Sequence, residues 1–428
     1  VSSHRRLTVT NAVIDGEPVS LTALDGVITA IGPDAATDTP SEETLDAGGG
    51  ILSPPLVNGH THAAMTLFRG HGDDLPLMRW LQEAIWPVEA KLESEDVYWG
   101  TRLGCLEMIR SGTIGFWDMY WQPEATARAV EDAGIRAVIG PPLFDPPGMV
   151  REERDRELEA HLDALVGFGD RIAAAVAPHA IYTVGTASLE YAVGLAADRD
   201  LPIEIHLSET EQEVIDCVEQ HGMRPAFYLD SLGMLGERTL LAHGVWLDRE
   251  ELELIADRGA TVTTNPVANM KLAVADAFPY PEAARAGVDI ALGTDGAGSN
   301  NSLDLLSDLK TFGLIQRHSA ADAEAIPKAE AWAIATGRRS ELVRGLGRPA
   351  IPASDPLTVG APADFIVLDP RAPELAVGDF ISNLVYAAGG SVVKDTVVDG
   401  KVLMRDRVVA DHDEILAKAA ERAAHLGL

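Results

Sequence analysis

His60 and His62 stand two residues apart at the end of an apolar run, in Asn58-Gly59-His60-Thr61-His62. On an extended strand, residues i and i+2 point to the same face. Both imidazoles can therefore bind one ion. His206 and Asp295 end two further apolar runs, so the four residues offer three nitrogen donors and one carboxylate. That set suits zinc or another first-row divalent ion, iron included, with a position left for water. An H-x-H pair alone is weak, because two core or surface histidines are its ordinary explanation. The joint constellation is the stronger signal.

Of the twelve histidines, five end such runs: His60, His62, His179, His206 and His243. His243 is either a further ligand or the group that polarises the water, and the second role is expected. His179, after Pro178, is either a substrate contact or a capped core histidine. Glu209 follows His206 by three residues, in His206-Leu207-Ser208-Glu209-Thr210-Glu211. A carboxylate placed there can carry protons between water and leaving group. Glu211 and Glu213 are nearby, and in so acidic a chain each is by default a solvated charge.

These residues need a scaffold that gathers strand ends. Apolar runs that suit buried parallel strands are Ile51–Asn58, Thr113–Asp118, Arg136–Gly140, Ile172–His179, Pro202–His206, Thr239–His243, Ala260–Asn265 and Asp289–Asp295. Helical patterns alternate with them, as at Asp96–Ser111, Ala125–Ala133, Leu189–Arg199 and Arg249–Asp257. The expected fold class is α/β: a (β/α)8 TIM-type barrel, whose active site sits at the carboxyl ends of its strands. Short strand patterns flank it, at Arg6–Val13, Pro18–Leu21 and Val27–Ile31, then at Phe365–Leu368, Val392–Val398 and Val402–Met404. A helix over Asp413–His425 closes the chain. The two ends are expected to build one small β-sandwich. The expected units are residues 1–54 and 351–428 for the sandwich and terminal helix, and 55–350 for the barrel.

The formal net charge is −32, and only seven lysines are present among 34 basic residues. An acidic, lysine-poor surface keeps a protein soluble where salt screens repulsion. A halophilic, archaeal cytoplasm is the expected setting. The same field disfavours nucleic acid and polyphosphates and favours a small neutral or cationic substrate. No window approaches eighteen uninterrupted apolar residues, so no membrane span is expected, and no secretory signal is read at Val1–Asn11. Cys105 and Cys217 are read as free buried thiols. A homo-oligomer is expected.

Several stretches together resemble the amidohydrolase superfamily, and within it the 5-methylthioadenosine/S-adenosylhomocysteine deaminases. They are Pro55–His62, Asp73–Leu81, Ile85-Trp86-Pro87-Val88-Glu89-Ala90-Lys91, His206–Thr210, Asn265–Leu272, Gly293–Ala297 and the tail Leu357–Asp364. The H-x-H and Thr-Asp pairs are shared across the superfamily, and Trp86–Lys91 is narrower. The resemblance implies metal ligation by His60, His62, His206 and Asp295, and acid–base work by Glu209. It implies substrate contact by Glu89, which holds the ribose, by His179, and by Trp86 in the same stretch. Two-metal barrels of this kind bridge their ions with a lysine on the fourth strand. No lysine occurs between Lys91 and Lys271, so one metal is expected, zinc before iron. Thr264 stands where relatives often have histidine, and Gly244-Val245-Trp246 is a less usual sequel to His243. Pro141–Arg156, where relatives place substrate-selecting groups, matches no family pattern.

The implied activity is hydrolytic deamination of an adenine nucleoside such as 5-methylthioadenosine, S-adenosylhomocysteine or adenosine. Asp295 accepts a proton from water, His243 orients it, and Glu209 protonates ring nitrogen N1. One competing reading is the same machinery on another heterocycle of triazine, guanine or pterin type. Another is a catalytically silent scaffold, which would be expected to have lost ligands that are all present here.

Overall fold

A computed structural model describes residues 5–35, 41–346 and 357–428. The expected boundary between residues 350 and 351 lies outside them. Two four-stranded parallel sheets carry the middle of the chain. The first runs in the order Ile172–Ala174, Arg136–Gly140, Thr113–Met119, Leu56–Thr61; the second runs Ile203–Leu207, Thr239–His243, Thr261–Thr264, Asp289–Leu292. Leu56–Thr61, Thr113–Met119, Ile203–Leu207 and Thr239–His243 are buried at every residue, as parallel strands covered on both faces must be. Between sheets, Val176 N donates to Pro202 O at 2.9 Å and His206 N to His179 O at 3.0 Å. At the outer edges, Thr294 N and Asp295 N donate to the His60 carbonyl at 3.2 and 3.1 Å.

Helices return the chain between strands, and their ends are written in local chemistry. Ser94–Ser111 starts with a capping box of Glu93 and Asp96 and stops at Gly112, φ +88°. Arg249–Arg258 begins with the same device, Asp248 with Glu251. The expected helices at 125–133, 189–199 and 413–425 are present as Pro123–Ala133, Thr186–Arg199 and His412–Leu426.

Two expected strands are divided. Ile51–Asn58 becomes Ile51–Ser53, in the terminal sheet, and Leu56–Thr61, in the first parallel sheet. Pro54 and Pro55 have no N–H to donate to a ladder, and the chain changes sheets there. Ile172–His179 becomes Ile172–Ala174 and Ala177–Pro178; the second piece pairs with Pro142–Leu143.

The two chain ends supply one nine-stranded sheet. Ile51–Ser53 lies between Arg6–Ile14 and Phe365–Leu368, which joins the two ends. Short strands Glu43–Asp46 and Val408–Val409 were not expected; two to four residues give too little pattern to read. No helix among the described residues is long and apolar enough to cross a membrane. Cys105 and Cys217 are both buried and free.

Candidate active site

His60, His62, His206 and Asp295 meet where three strands end, Leu56–Thr61, Ile203–Leu207 and Asp289–Leu292. Asp295 Oδ1 lies 3.7 Å from His60 Nε2 and 3.2 Å from His62 Nε2. One donor atom each from His60, His62 and His206 falls within 4.8 Å of the other two, and the same holds for His60, His243 and Asp295. The other ring nitrogen of each expected ligand is occupied. His60 Nδ1 is bonded to Glu204 Oε1 at 2.7 Å, His62 Nδ1 to Met119 O at 2.6 Å and His206 Nδ1 to His179 O at 2.7 Å. An acceptor at Nδ1 puts the proton there and leaves the Nε2 lone pair free for a cation. His60 Nε2 and Asp295 Oδ1 are buried without any hydrogen-bond partner. With the Nε2 atoms of His62 and His206, these two orphaned atoms make a set of three imidazoles and a carboxylate that fits a tetrahedral or five-coordinate divalent ion.

The backbone is bent to achieve this. Ser208, His243 and Asp295, all just at or past strand ends, have φ of +50°, +77° and +59°. Side chains other than glycine rarely take that region, and such residues gather at functional sites. Gly293 permits the approach of the Asp295 turn, since a Cβ there would collide with Asn265 Oδ1 and the His60 carbonyl. The Ser299 hydroxyl then donates to Asp295 Oδ2 at 2.5 Å, leaving Oδ1 to the histidines.

Burial and the neighbouring histidines hold His60 and His206 well below the usual imidazole pKa, so both are neutral donors. Burial, with the charges of His62 and His243, lowers His179 to about 3. Burial opposes ionisation of Asp295 but is outweighed by the close approach of His62, which holds its carboxyl well below the usual carboxylate range. Glu209 is shifted upward, chiefly by burial, toward the protonated form that a general acid needs. Its Oε1 lies 3.8 Å from His243 Nδ1, which itself bonds Asn269 Oδ1 at 2.8 Å.

One cavity brings Glu209, His243, Asp295, His179, Glu89 and Trp86 together, with His62 and His206 at its floor; His60 lies fully buried beside them. Glu89 arrives by an unusual route: a π-turn, Trp80–Ile85, leads into the short helix Trp86–Glu89. Its carboxylate is half-buried and pushed upward by burial; the Tyr120 hydroxyl lies beside it without a hydrogen bond of ordinary geometry. His179 is held by Thr183 Oγ1 at 2.8 Å and stacks on Phe144 at 4.4 Å between centroids.

Sequence reasoning missed Glu204, Asn269, Ser299 and Phe144. Glu204 left a signal: an acid two residues before His206 in an otherwise apolar strand shares that ligand's inward face. Asn269 sits inside Asn265–Leu272, a stretch that resembles the family without marking this residue. Ser299 carries no comparable mark, and Phe144 has only its place in Pro141–Arg156.

Residues 51–403 match the model of the Amidohydrolase family. The chain is 45% identical over 391 residues to a 5'-deoxyadenosine deaminase of Methanoregula boonei, covering 90% of this chain and 86% of that one. It is 42% identical to a 5-methylthioadenosine/S-adenosylhomocysteine deaminase of Halobacterium salinarum, with 94% and 92% covered. A solved adenosine deaminase from Xanthomonas campestris, with bound zinc, superposes with a TM-score of 0.89 at 34% identity, covering 99% of this chain and 98% of that one. The chain therefore belongs to the amidohydrolase family, in the branch of the 5-methylthioadenosine/S-adenosylhomocysteine and 5'-deoxyadenosine deaminases.

Proposed function

We propose that this chain is a hydrolytic deaminase of adenine nucleosides that works with one divalent metal, zinc before iron. The observation that carries the reading is the convergence of His60, His62, His206 and Asp295 beneath a cavity that also holds Glu209 and Glu89. A divalent ion held by those four ligands supplies Lewis acidity that brings the pKa of a water toward neutrality. Asp295 accepts a proton from the attacking water, and His243, fixed by Asn269, orients it. Glu209 delivers a proton to ring nitrogen N1 as the new C6–O bond forms. The C6–N bond then breaks, and ammonia leaves with a shuttled proton. His179, neutral, holds the base, and Trp86 helps to wall the cavity. Glu89 accepts hydrogen bonds from the ribose 2′ and 3′ hydroxyls.

The scaffold belongs to the same reading. We take the two parallel sheets as one (β/α)8 barrel, supported by the bonds from Thr294 and Asp295 to the His60 carbonyl. We take the nine-stranded sheet as folded over into a β-sandwich. Ile28 N donates to Ala361 O and Ala363 N to Gly26 O, and Leu7, Leu21, Leu45 and Phe365 share one apolar cluster. Units at 1–54, 55–350 and 351–428 follow. A halophilic cytoplasm, supported by the charge of −32, and a homo-oligomeric state complete the proposal.

The test is Glu89→Ala assayed on a nucleoside and on free adenine. A charged acceptor is worth about 1.5–3 kcal/mol per bond, so kcat/KM for the nucleoside should fall about tenfold to a hundredfold or more. Slow turnover of free adenine, which has no ribose, should barely change. Equal loss on both, or no loss on either, would remove the ribose contact.

A further inference from the structure

A second cleft, of about 520 Å³, lies between the helix Ser94–Ser111 and the C-terminal segment. It shares no lining residue with the catalytic cavity. Three arginines line it, Arg69, Arg110 and Arg407, with His412. In a chain with 66 acidic residues against 34 basic ones, an arginine should readily find a carboxylate. Arg69 does so, its Nη2 bonding Glu107 Oε2 at 2.6 Å. Among the described residues, Arg110 and Arg407 form no ion pair, and both are half-buried.

The two hold each other's backbone instead. Arg110 Nη1 donates to the Arg407 carbonyl at 2.9 Å, and Arg407 Nη1 to the Arg110 carbonyl at 3.3 Å. The same Arg407 nitrogen reaches Gly390 O at 2.8 Å and Val393 O at 2.6 Å. Each guanidinium is thus anchored through one nitrogen, which leaves its remaining N–H groups for a ligand. Burial and the charge of Arg110 lower the Arg407 pKa. Arginine nevertheless keeps its proton, so two like charges stand side by side.

The acids around the cleft are committed elsewhere. Glu107 Oε1 accepts from Ser302 Oγ at 3.0 Å and from Leu303 N at 2.9 Å. Asp304 accepts from Leu306 N at 3.1 Å and from Gly390 N at 2.7 Å, and burial pushes its carboxyl upward. Asp406 pairs with Lys394 at 3.2 Å, Asp411 with Arg102 at 3.7 Å and Asp413 with His412 at 3.1 Å. The cleft therefore holds a pair of cations without a counterion, inside a protein of net charge −32.

We propose that this cleft binds a phosphate group, free or carried by an ester, between Arg110 and Arg407. Planar guanidinium forks match the oxygens of a phosphate, and a dianion balances both charges where one carboxylate would not. The Ser391 hydroxyl, at the exposed rim, has no partner among the described residues and can donate to the same group. Leu106 and Leu416 give the organic part of an ester an apolar flank.

The experiment titrates inorganic phosphate and phenyl phosphate into the metal-loaded protein by calorimetry, at one fixed potassium chloride concentration. Saturable binding is expected, with a Kd below about 1 mM. Arg110→Gln should weaken it about tenfold or more. Ser391→Glu puts a carboxylate at the rim without disturbing either arginine's anchor, and should weaken it by a similar factor. Arg249→Gln removes the same charge from an exposed position on another helix and should leave binding unchanged. Tighter binding of the phenyl ester assigns the site to an organic phosphate, and equal binding to the inorganic ion. Absence of saturable binding overturns the inference. Equal weakening by Arg110→Gln and Arg249→Gln also overturns it, because only net charge would then matter. So does binding that neither Arg110→Gln nor Ser391→Glu weakens; inhibition of turnover by that phosphate would place it on the catalytic metal.

Discussion

Glu204 accepts a hydrogen bond from His60 Nδ1 at 2.7 Å, and neither side chain has any exposure. The bond sets the tautomer that leaves His60 Nε2 free toward Asp295. Glu204 also lies two residues before His206, so one strand supplies a ligand and holds the ligand of another.

Removing this partner should weaken the metal site without touching a ligand. Glu204→Ala is expected to cost about 10- to 100-fold in metal affinity or activity, the usual scale for such partners. Glu204→Gln keeps an acceptor and should lose less. Zinc titration of the stripped protein measures both. Wild-type affinity in the alanine variant would show that His60 needs no such support.

How much of this was legible in the sequence depended on the range of the interaction. His60, His62 and His206 end apolar runs with period-two spacing, so their convergence could be read from strand geometry. Pro54 and Pro55 were misread because the apolar run continues across them, although its halves serve different sheets. Trp80–Ile85 and Phe144 were beyond reading, because their positions come from packing across the cavity mouth. The Ser299 bond to Asp295 is short in sequence, yet it depends on the left-handed turn at Asp295, which no propensity foretells.

Glu209→Gln preserves size and removes the proton carrier. Metal content should be unchanged and kcat should fall about 10²-fold or more. Steady-state kinetics beside elemental analysis checks this, and wild-type turnover would exclude Glu209 from proton transfer.

Glu213 links chemistry to pH. Its carboxylate accepts from Ser208 N at 2.8 Å and Glu209 N at 2.9 Å, and burial above all pushes it up to about 8. A carboxyl raised above its unfolded value, about 4.3, keeps its proton in the fold while the unfolded chain has lost it. Its contribution to stability therefore falls as pH rises between those values. Glu213→Gln cannot titrate. Melting temperatures at pH 5 and 8 should show the wild type losing more than the variant over that interval, and a constant difference would contradict the raised pKa.

Salt should stabilise the chain. With a net charge of −32, counterions must screen self-repulsion. The melting temperature is expected to rise with potassium chloride through the molar range. A flat or falling curve would refute the halophilic reading.

Hydrolytic deamination leaves an atomic record. The zinc-loaded enzyme, incubated with 5-methylthioadenosine in ¹⁸O-labelled water, should yield a nucleoside with a hypoxanthine base carrying one labelled oxygen, together with equimolar ammonia. The metal-stripped enzyme should yield neither. Recovery of unchanged adenine nucleoside, cleavage to free adenine, or activity confined to a chlorinated triazine with chloride release would contradict the assignment.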